Sequence, residues 1–143
     1  MSLVIEIRPY VESDREEVVQ LWHKTSLYHP DNDPYKDIDR KLTDSPELFI
    51  VARHEATIIG TVMVGYDGHR GWINYLGVVP SYQRQGVAKK LMESAEEALT
   101  TLRCPKIQLQ VRKTNLGVID FYQAIGYSIE DVISMEKRLE FDR

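Results

Sequence analysis

The residues best suited to binding chemistry form a short polar turn between an apolar run and a predicted helix. The apolar run covers residues 76–79, and the helix pattern begins near residue 85. Amide hydrogens in the first turn of a helix lack intrahelical partners, and the peptide dipoles place partial positive charge there, so such ends bind phosphate readily. The candidate phosphate-binding residues of the turn are Gln83, Arg84, Gln85, Gly86, Val87 and Ala88. An ordinary strand-turn-helix connection is the alternative, and spacing alone would favour it.

Two well-known nucleotide-binding loops do not match this turn. The chain has no G-x-x-x-x-G-K-[ST] sequence and no G-x-G-x-x-G sequence after a strand. A Walker-type or dinucleotide site is therefore not supported, and nucleotide binding is the weakest of three functional hypotheses for the chain.

A second group of chemically useful residues lies further along the chain. Asn115 precedes a helix pattern that carries Tyr122, and Gly126-Tyr127 follows it. Together with Gln83-x-x-Gly86-x-Ala88, and in this order, these residues resemble the two signatures of the GNAT superfamily of acyl-CoA-dependent N-acetyltransferases. The resemblance extends over essentially the whole chain, and the hairpin at residues 60–71 is similar to that of the bacterial YpeA-like branch.

The resemblance implies that acetyl-CoA is the cosubstrate and lies beside the central strand, at residues 72–79. The backbone of Leu76, Val78 and Val79 would contact its acetyl and pantetheine groups, and the Val78 amide would stabilise the oxyanion. Gly77 would permit this close approach, although simple steric relief is the alternative. The polar turn would bind the pyrophosphate. Asn115 would fix the cosubstrate, cap the next helix, or do both.

The resemblance also implies a catalytic role for Tyr122. In the family, a tyrosine at this place on the second-motif helix protonates the departing coenzyme A sulfur. The alternative is that Tyr122 only packs beside Phe121 as a core aromatic.

No general base is evident on the predicted strands. Amino-terminal acetyltransferases that resemble the chain often carry Leu-Glu-Val-Arg on the fifth strand, where this chain has Leu-Gln-Val-Arg at residues 109–112. Gln110 cannot accept a proton, but with Asn74 and Tyr75 it could position a chain of water molecules. The alternatives lie in loops and are Asp67, His69, His29, Asp31 and Asp33.

The expected acceptor is a primary amine of a small molecule or peptide. In related folds the first two helices and the hairpin before the central strand enclose it, so the candidate contacts are Tyr28, His29, Asp33, Tyr35, Tyr66, His69 and Asn74. No metal is expected, because the histidines have no paired spacing and no clustered carboxylates. A non-catalytic module that binds acyl-CoA is the alternative to an enzyme.

Length and composition limit the number of domains and the kinds of partner that the protein can have. The chain has 143 residues, which we predict to form a single domain over residues 1–143, and its formal net charge of −4 predicts no nucleic-acid partner. Residues 1–9 contain no long apolar run, and no window approaches the length of a membrane span. We therefore expect a cytoplasmic protein without a membrane partner. A homodimer is compatible with the sequence.

Hydrophobic periodicity predicts an α+β fold: a mixed, mostly antiparallel central sheet of about seven strands, with four helices. Ser13 and Glu16 predict a capping box at the start of the first helix. The predicted helices cover residues 13–25, 35–42, 85–102 and 116–124. The predicted strands cover residues 5–8, 47–53, 57–66, 72–79, 106–111, 127–130 and 132–139.

Overall fold

The computed structural model describes residues 4–142. Residues 1–3 and 143, which the single-domain and N-terminal predictions also cover, lie outside the described residues. The strands are β1 (Glu6–Pro9), β2 (Phe49–His54), β3 (Thr57–Tyr66), β4 (Gly71–Val78) and β5 (Ile107–Leu109). The helices are α1 (Arg15–Lys24), α2 (Pro34–Leu42), α3 (Val87–Thr101) and α4 (Leu116–Ala124).

The strands form one sheet in the order in which they occur along the chain. Neighbours pair antiparallel from β1 to β4, whereas β4 and β5 pair parallel. A parallel neighbour needs a crossover connection, and α3 lies in the connection between β4 and β5. The predictions of an α+β fold, a mixed and mostly antiparallel sheet and four helices are confirmed.

The prediction of about seven strands is wrong, because the described residues form a sheet of five. The strand predicted at residues 127–130 alternates in sequence, but neither it nor the strand predicted at residues 132–139 pairs with another strand among residues 4–142. Alternation shows that one face of a segment suits burial. It does not supply a neighbouring strand.

The predicted capping box at Ser13 and Glu16 is also wrong. A short 3-10 turn covers Glu12–Asp14, and α1 begins at Arg15. The Asp14 carboxylate instead accepts from the Val11 amide at 2.9 Å and from Arg8 at 2.8 and 3.0 Å. The ion pair with Arg8 favours Asp14 over Ser13 as the acceptor at this helix start.

Helices cover both faces of the sheet. One core contains the buried residues of α1 and α2, centred on Trp22 and Phe49, and the other contains the buried side of α3 together with Tyr122 of α4. Within residues 4–142, no helix combines the length and apolar composition needed to cross a bilayer.

Candidate active site

A cleft opens between β4 and β5 where their pairing stops. The parallel ladder joins Gly71 to Ile107 and ends at the pair of Ile73 with Leu109, whereas β4 continues to Val78. The second half of β4 therefore has β3 on one side and no strand on the other. The two strands therefore part at Asn74, three residues before Gly77.

A bulge in β4 separates its paired half from its open half. Met63 lies opposite Asn74 and Thr61 opposite Gly77, so β4 contains one residue more than β3 between these pairs. Tyr75 takes up this irregularity with φ of 53°, in the left-handed region that is unfavourable for a bulky residue.

Three buried contacts hold the bulge. The Thr61 hydroxyl donates to the Tyr75 carbonyl at 2.7 Å and accepts from Trp22 Nε1 at 3.0 Å. The Trp22 ring stacks on the Tyr75 ring at 3.8 Å between centroids. Through these contacts, α1 and β3 fix the position of Tyr75 and therefore the direction in which β4 continues along the cleft.

The backbone of Val78 faces this cleft. The Val79 amide donates to the Ile59 carbonyl of the β3 side at 2.9 Å. Alternate residues of a strand direct their backbone groups to opposite sides, so the Val78 amide and carbonyl point away from β3. Gln83 Nε2 donates to that carbonyl at 2.9 Å. The Gln83 side chain thus fixes the strand end, while the Val78 amide faces the open side.

The start of α3 continues from this strand end. Gly86, with φ of 82°, precedes the helix, and the first bond of the helix runs from the Lys90 amide to the Gly86 carbonyl at 3.0 Å. The amides of Val87 and Ala88 come before that bond and have no acceptor among the described residues. Arg84 is exposed and also has a positive φ, of 63°. The helix start therefore has the unpaired backbone donors that an anion site requires.

Gln85 takes part in the turn itself. Its Nε2 donates to the Ser81 carbonyl at 3.2 Å, which closes the loop before α3. Gln83 and Gln85 thus both brace the loop through backbone carbonyls, and Arg84 is the exposed cation within it.

Tyr122 lies in the core below the cleft. It is buried, and it makes edge contacts with Phe121 and Tyr127 at 5.2 and 5.5 Å between ring centroids. Burial raises the pKa of the Tyr122 hydroxyl to about 12, so the phenol keeps its proton at neutral pH. Its hydroxyl has no hydrogen-bond partner among the described residues.

Asn115 caps α4, as one of its two interpretations predicts. Its Oδ1 accepts from the Val118 amide at 3.4 Å. The side chain is exposed, so the cap leaves its amide nitrogen accessible.

Candidate residues for proton transfer lie on both sides of the cleft. Gln110 follows β5 and is exposed, and its Nε2 donates to the Ser134 hydroxyl. Across the cleft the Tyr75 hydroxyl donates to the Asp37 carboxylate at 2.5 Å. Burial and this carboxylate raise the pKa of Tyr75 well above its ordinary value, so Tyr75 remains a donor.

Five of the seven acceptor candidates fall into two groups in the structure. Tyr28, His29 and Asp33 lie in the connection between α1 and α2, near the open half of β4, where Leu27 reaches Gly77. Tyr66 and His69 belong to the β3–β4 hairpin at the other end of β4, about 20 Å from Val78 along the strand.

The remaining two acceptor candidates have different surroundings. Asn74 is exposed beside the bulge. Tyr35 is exposed on α2 and donates to Glu16 at 2.9 Å.

A polar cavity of about 660 Å³ lies beyond the carboxyl end of β5. The α1–α2 connection forms one side of it, and Arg112 and residues 136–140 form the other. Its charged lining residues are Asp31, Arg40, Arg112, Glu136, Lys137, Arg138 and Glu140. A separate groove of about 430 Å³ runs between α3 and the β1 edge of the sheet, remote from the cleft.

No group of three or more histidine, cysteine or acidic side chains arranged to hold a metal ion occurs within residues 4–142. The candidate site combines the open end of β4, the start of α3 and the buried phenol of Tyr122.

This arrangement of strands is that of a class of acyltransferases. The family model "Acetyltransferase (GNAT) family" matches residues 15–127. An acetyltransferase of Yersinia pestis (strain Pestoides F) is 46% identical over 139 residues, which cover 97% of this chain and 99% of that protein. An acetyltransferase of Pectobacterium atrosepticum is 45% identical over the same shares. The chain belongs to the GNAT family of acetyltransferases.

Solved structures agree on the fold. The structure of AAC(6')-Iy in complex with a bisubstrate analogue of CoA and acetylneamine has a TM-score of 0.78 at 22% identity, covering 95% of this chain and 99% of that one. Ard1 of Thermoplasma volcanium has a TM-score of 0.81 at 24% identity, covering 90% and 85%.

The sequence did not reveal the support of the cleft. Trp22 and Thr61 lie far apart in the chain, and their pattern indicates only core positions, so no local signal predicts that they hold Tyr75. The bond between Asp37 and Tyr75 likewise depends on how α2 lies across the sheet.

Proposed function

We propose that this protein transfers the acetyl group of acetyl-CoA to a primary amine of a small molecule, by direct attack of the amine in a ternary complex. The observation that carries the proposal is the open half of β4 leading directly into the free amides of α3. A strand edge suits an extended amide-containing arm, and a helix start suits a pyrophosphate.

The backbone supports the acyl side of the reaction. Leu76 and Val78 would contact the acetyl and pantetheine groups along the cleft, whereas the Val79 amide, which was also a predicted contact, is already bonded to the Ile59 carbonyl on the β3 side. The Val78 amide, which faces the open side, would stabilise the oxyanion formed when the amine nitrogen attacks the thioester carbonyl. Residues 83–88 and Asn115 would hold the rest of the cosubstrate.

Tyr122 would supply the proton that the leaving group needs. As the new carbon–nitrogen bond forms and the carbon–sulfur bond breaks, the sulfur leaves as a thiolate and takes the phenolic proton. The raised pKa of about 12 keeps that proton available at neutral pH.

The proton of the attacking amine would leave by way of water positioned by Asn74, Tyr75 and Gln110. His29 and Asp31 in the cavity wall are the alternative route. They lie 3.6 Å apart, His29 Nδ1 to Asp31 Oδ2.

The polar cavity supports a small-molecule acceptor. Its volume of about 660 Å³ is within the usual range for small-molecule sites. Its three carboxylates, Asp31, Glu136 and Glu140, suit an amine, and its cationic side chains suit acceptor hydroxyl or carboxylate groups. His29 lies in its wall, and Tyr28 and Asp33 lie in the same connection.

The experiment is a panel of primary amines, including amino sugars, polyamines and short peptides, assayed with acetyl-CoA for release of free thiol. Turnover with a small amine supports the proposal, and turnover with peptides alone contradicts its acceptor class. Acetyl-CoA binding without turnover across the panel would instead identify a non-catalytic module.

Tyr122→Phe tests the catalytic assignment. We expect kcat to fall about 10²-fold to 10⁴-fold with little change in the KM for acetyl-CoA, since a general acid acts on the chemical step. Tyr127→Phe is the matched control, because its hydroxyl bonds to Glu96 at 2.6 Å away from the cleft, and its turnover should stay within a few-fold. Equal losses in the two variants would refute the role of Tyr122.

A further inference from the structure

The charges that line the polar cavity have an excess of cations. Four of the lining side chains are cationic and three are carboxylates. The whole chain has the opposite balance, with 18 lysine and arginine residues against 22 aspartate and glutamate residues. An acidic protein therefore has a basic excess at the site proposed for the acceptor, and the partners of each charge decide which of them can bind a ligand.

Two of the four cations are already bound by the protein itself. Arg40 donates to the Asp142 carboxylate at 2.7 Å and lies 3.2 Å from the Glu140 carboxylate. Arg138 donates to the Asn32 side chain at 2.7 Å and to the Glu140 carbonyl at 3.2 Å. These two side chains therefore connect the walls of the cavity, and their charges are compensated or partly satisfied within the chain.

The other two cations are Arg112 and Lys137, which lie on the same side of the cavity. Arg112 follows the end of β5, where the parallel ladder stops, and Lys137 belongs to the stretch of residues 136–140. Both residues are exposed, and neither makes a hydrogen bond or an ion pair within residues 4–142. Two such cations are complementary to an anionic group, and a guanidinium can bind a carboxylate or a phosphate through two parallel hydrogen bonds.

The lining carboxylates leave a smaller opposing charge. Glu140 is the carboxylate that pairs with Arg40, and Asp31 lies 3.6 Å from His29. Glu136 makes no hydrogen bond or ion pair with any described residue. The unpaired charges of the lining are therefore two cations and one carboxylate. Together they are complementary to a molecule that carries both an anionic group and an amine.

We infer, on the basis of the proposed function, that the acceptor is a small primary amine that also bears a carboxylate or phosphate group. Arg112 and Lys137 bind this anionic group, and the amine of the same molecule faces the cleft. A polyamine or a multiply charged amino sugar is disfavoured, because it would place ammonium groups beside the same two cations, where like charges repel. The two cations thus contribute to the affinity for the acceptor and not to the chemical step.

Matched acceptors that differ only in the anionic group test this inference. Amino acids are compared with their carboxamides, and aminoalkyl phosphates with the same amines without the phosphate, each with acetyl-CoA and an assay of thiol release. We expect kcat/KM to be about tenfold higher or more for the anionic member of a pair, because hydrogen bonds between charged groups contribute a factor of this size. The two series also distinguish a carboxylate from a phosphate as the group that is bound.

Arg112→Gln and Lys137→Gln test the assignment to these two side chains. Each should raise the KM for the anionic member about tenfold, while kcat and the KM for the neutral member stay within about twofold. Lys113→Gln is the matched control and should change neither KM, because Lys113 is an exposed cation next to Arg112 that lies outside the lining of the cavity. A preference for anionic amines that survives in both variants would overturn the roles of Arg112 and Lys137.

Titration calorimetry with the protein saturated with coenzyme A separates this inference from acetyl transfer, because coenzyme A carries no acetyl group. Tighter binding of the anionic amines without turnover of any amine would support the binding assignment and contradict the proposed function. Equal turnover within the pairs, or faster turnover of polyamines, would overturn the inference and leave acetyl transfer in place. Neither binding nor turnover with any amine would overturn both.

Discussion

Replacing Thr61 by Val tests the support of the cleft most directly. Thr61 is fully buried, and Val has nearly the same shape but no hydroxyl. The substitution leaves Trp22 Nε1 without its acceptor and the Tyr75 carbonyl without its donor. A buried polar group left without a partner costs about 1–3 kcal/mol, so the two together predict a loss of about 2–6 kcal/mol.

That loss is a large fraction of the free energy of unfolding of a typical domain, which is about 5–15 kcal/mol. The loss should be measured from the midpoint of urea unfolding in the variant and the wild type. The comparison requires that both have the same slope of unfolding free energy against urea concentration. Thr61→Ser is the matched control, because it keeps the hydroxyl and removes one methyl group, at a cost of about 1 kcal/mol. We also expect the KM for acetyl-CoA to rise in Thr61→Val more than in Thr61→Ser, since Tyr75 sets the path of β4.

The reasoning would be refuted if Thr61→Val lost less stability than Thr61→Ser. A second test uses Trp22→Phe as the background, where the indole donor is already absent. Thr61→Val should then cost about 1 kcal/mol less than in the wild type, because only the Tyr75 carbonyl is orphaned. Strictly additive losses would show that Trp22 and Thr61 are not coupled.

Two further predictions concern stability. Gly77→Ala should destabilise the protein by about 1–3 kcal/mol, because a Cβ there would clash with Leu27 Cδ1; urea unfolding should show part of this loss recovered in the Leu27→Ala background. Burial opposes ionisation of Asp14, but bonds from Arg8 and the Val11 amide outweigh it and lower the pKa of the carboxyl. The resulting stability is present above the unfolded pKa of about 4 and is lost as pH falls through the folded value. Asp14→Asn should therefore flatten the acid limb of a stability–pH curve, and an unchanged limb would contradict this.

Much of the fold follows from local patterns. The predicted bounds of β3 and α4 agree with the structure, since an apolar run followed by the turn residues Asp67-Gly68 and a helix between Asn115 and Gly126 carry their own local signals. The strand predicted at residues 106–111 is shorter in the structure, Ile107–Leu109, because β4 turns away after Ile73 and leaves Gln110 unpaired.

The candidate site likewise has features that the sequence predicts and features that depend on the fold. The polar turn, Tyr122 and Asn115 could be singled out from residue types and spacing, because a helix start exposes its amides whatever lies around it. The sequence did not predict the roles of individual side chains in the turn, because Gln83 and Gln85 bond to carbonyl groups that come near them only in the folded loop.

Residue order along the chain was thus sufficient for the family and for most of the helices and strands, because the motifs and periodic patterns that indicate them lie between near neighbours in the sequence. The tertiary structure decided where the cleft opens, which acceptor candidates lie near it and which charges of the polar cavity have partners within the chain. Those features depend on pairs such as Trp22 with Thr61 and Arg40 with Asp142, which are distant in the chain and meet only after the sheet has formed.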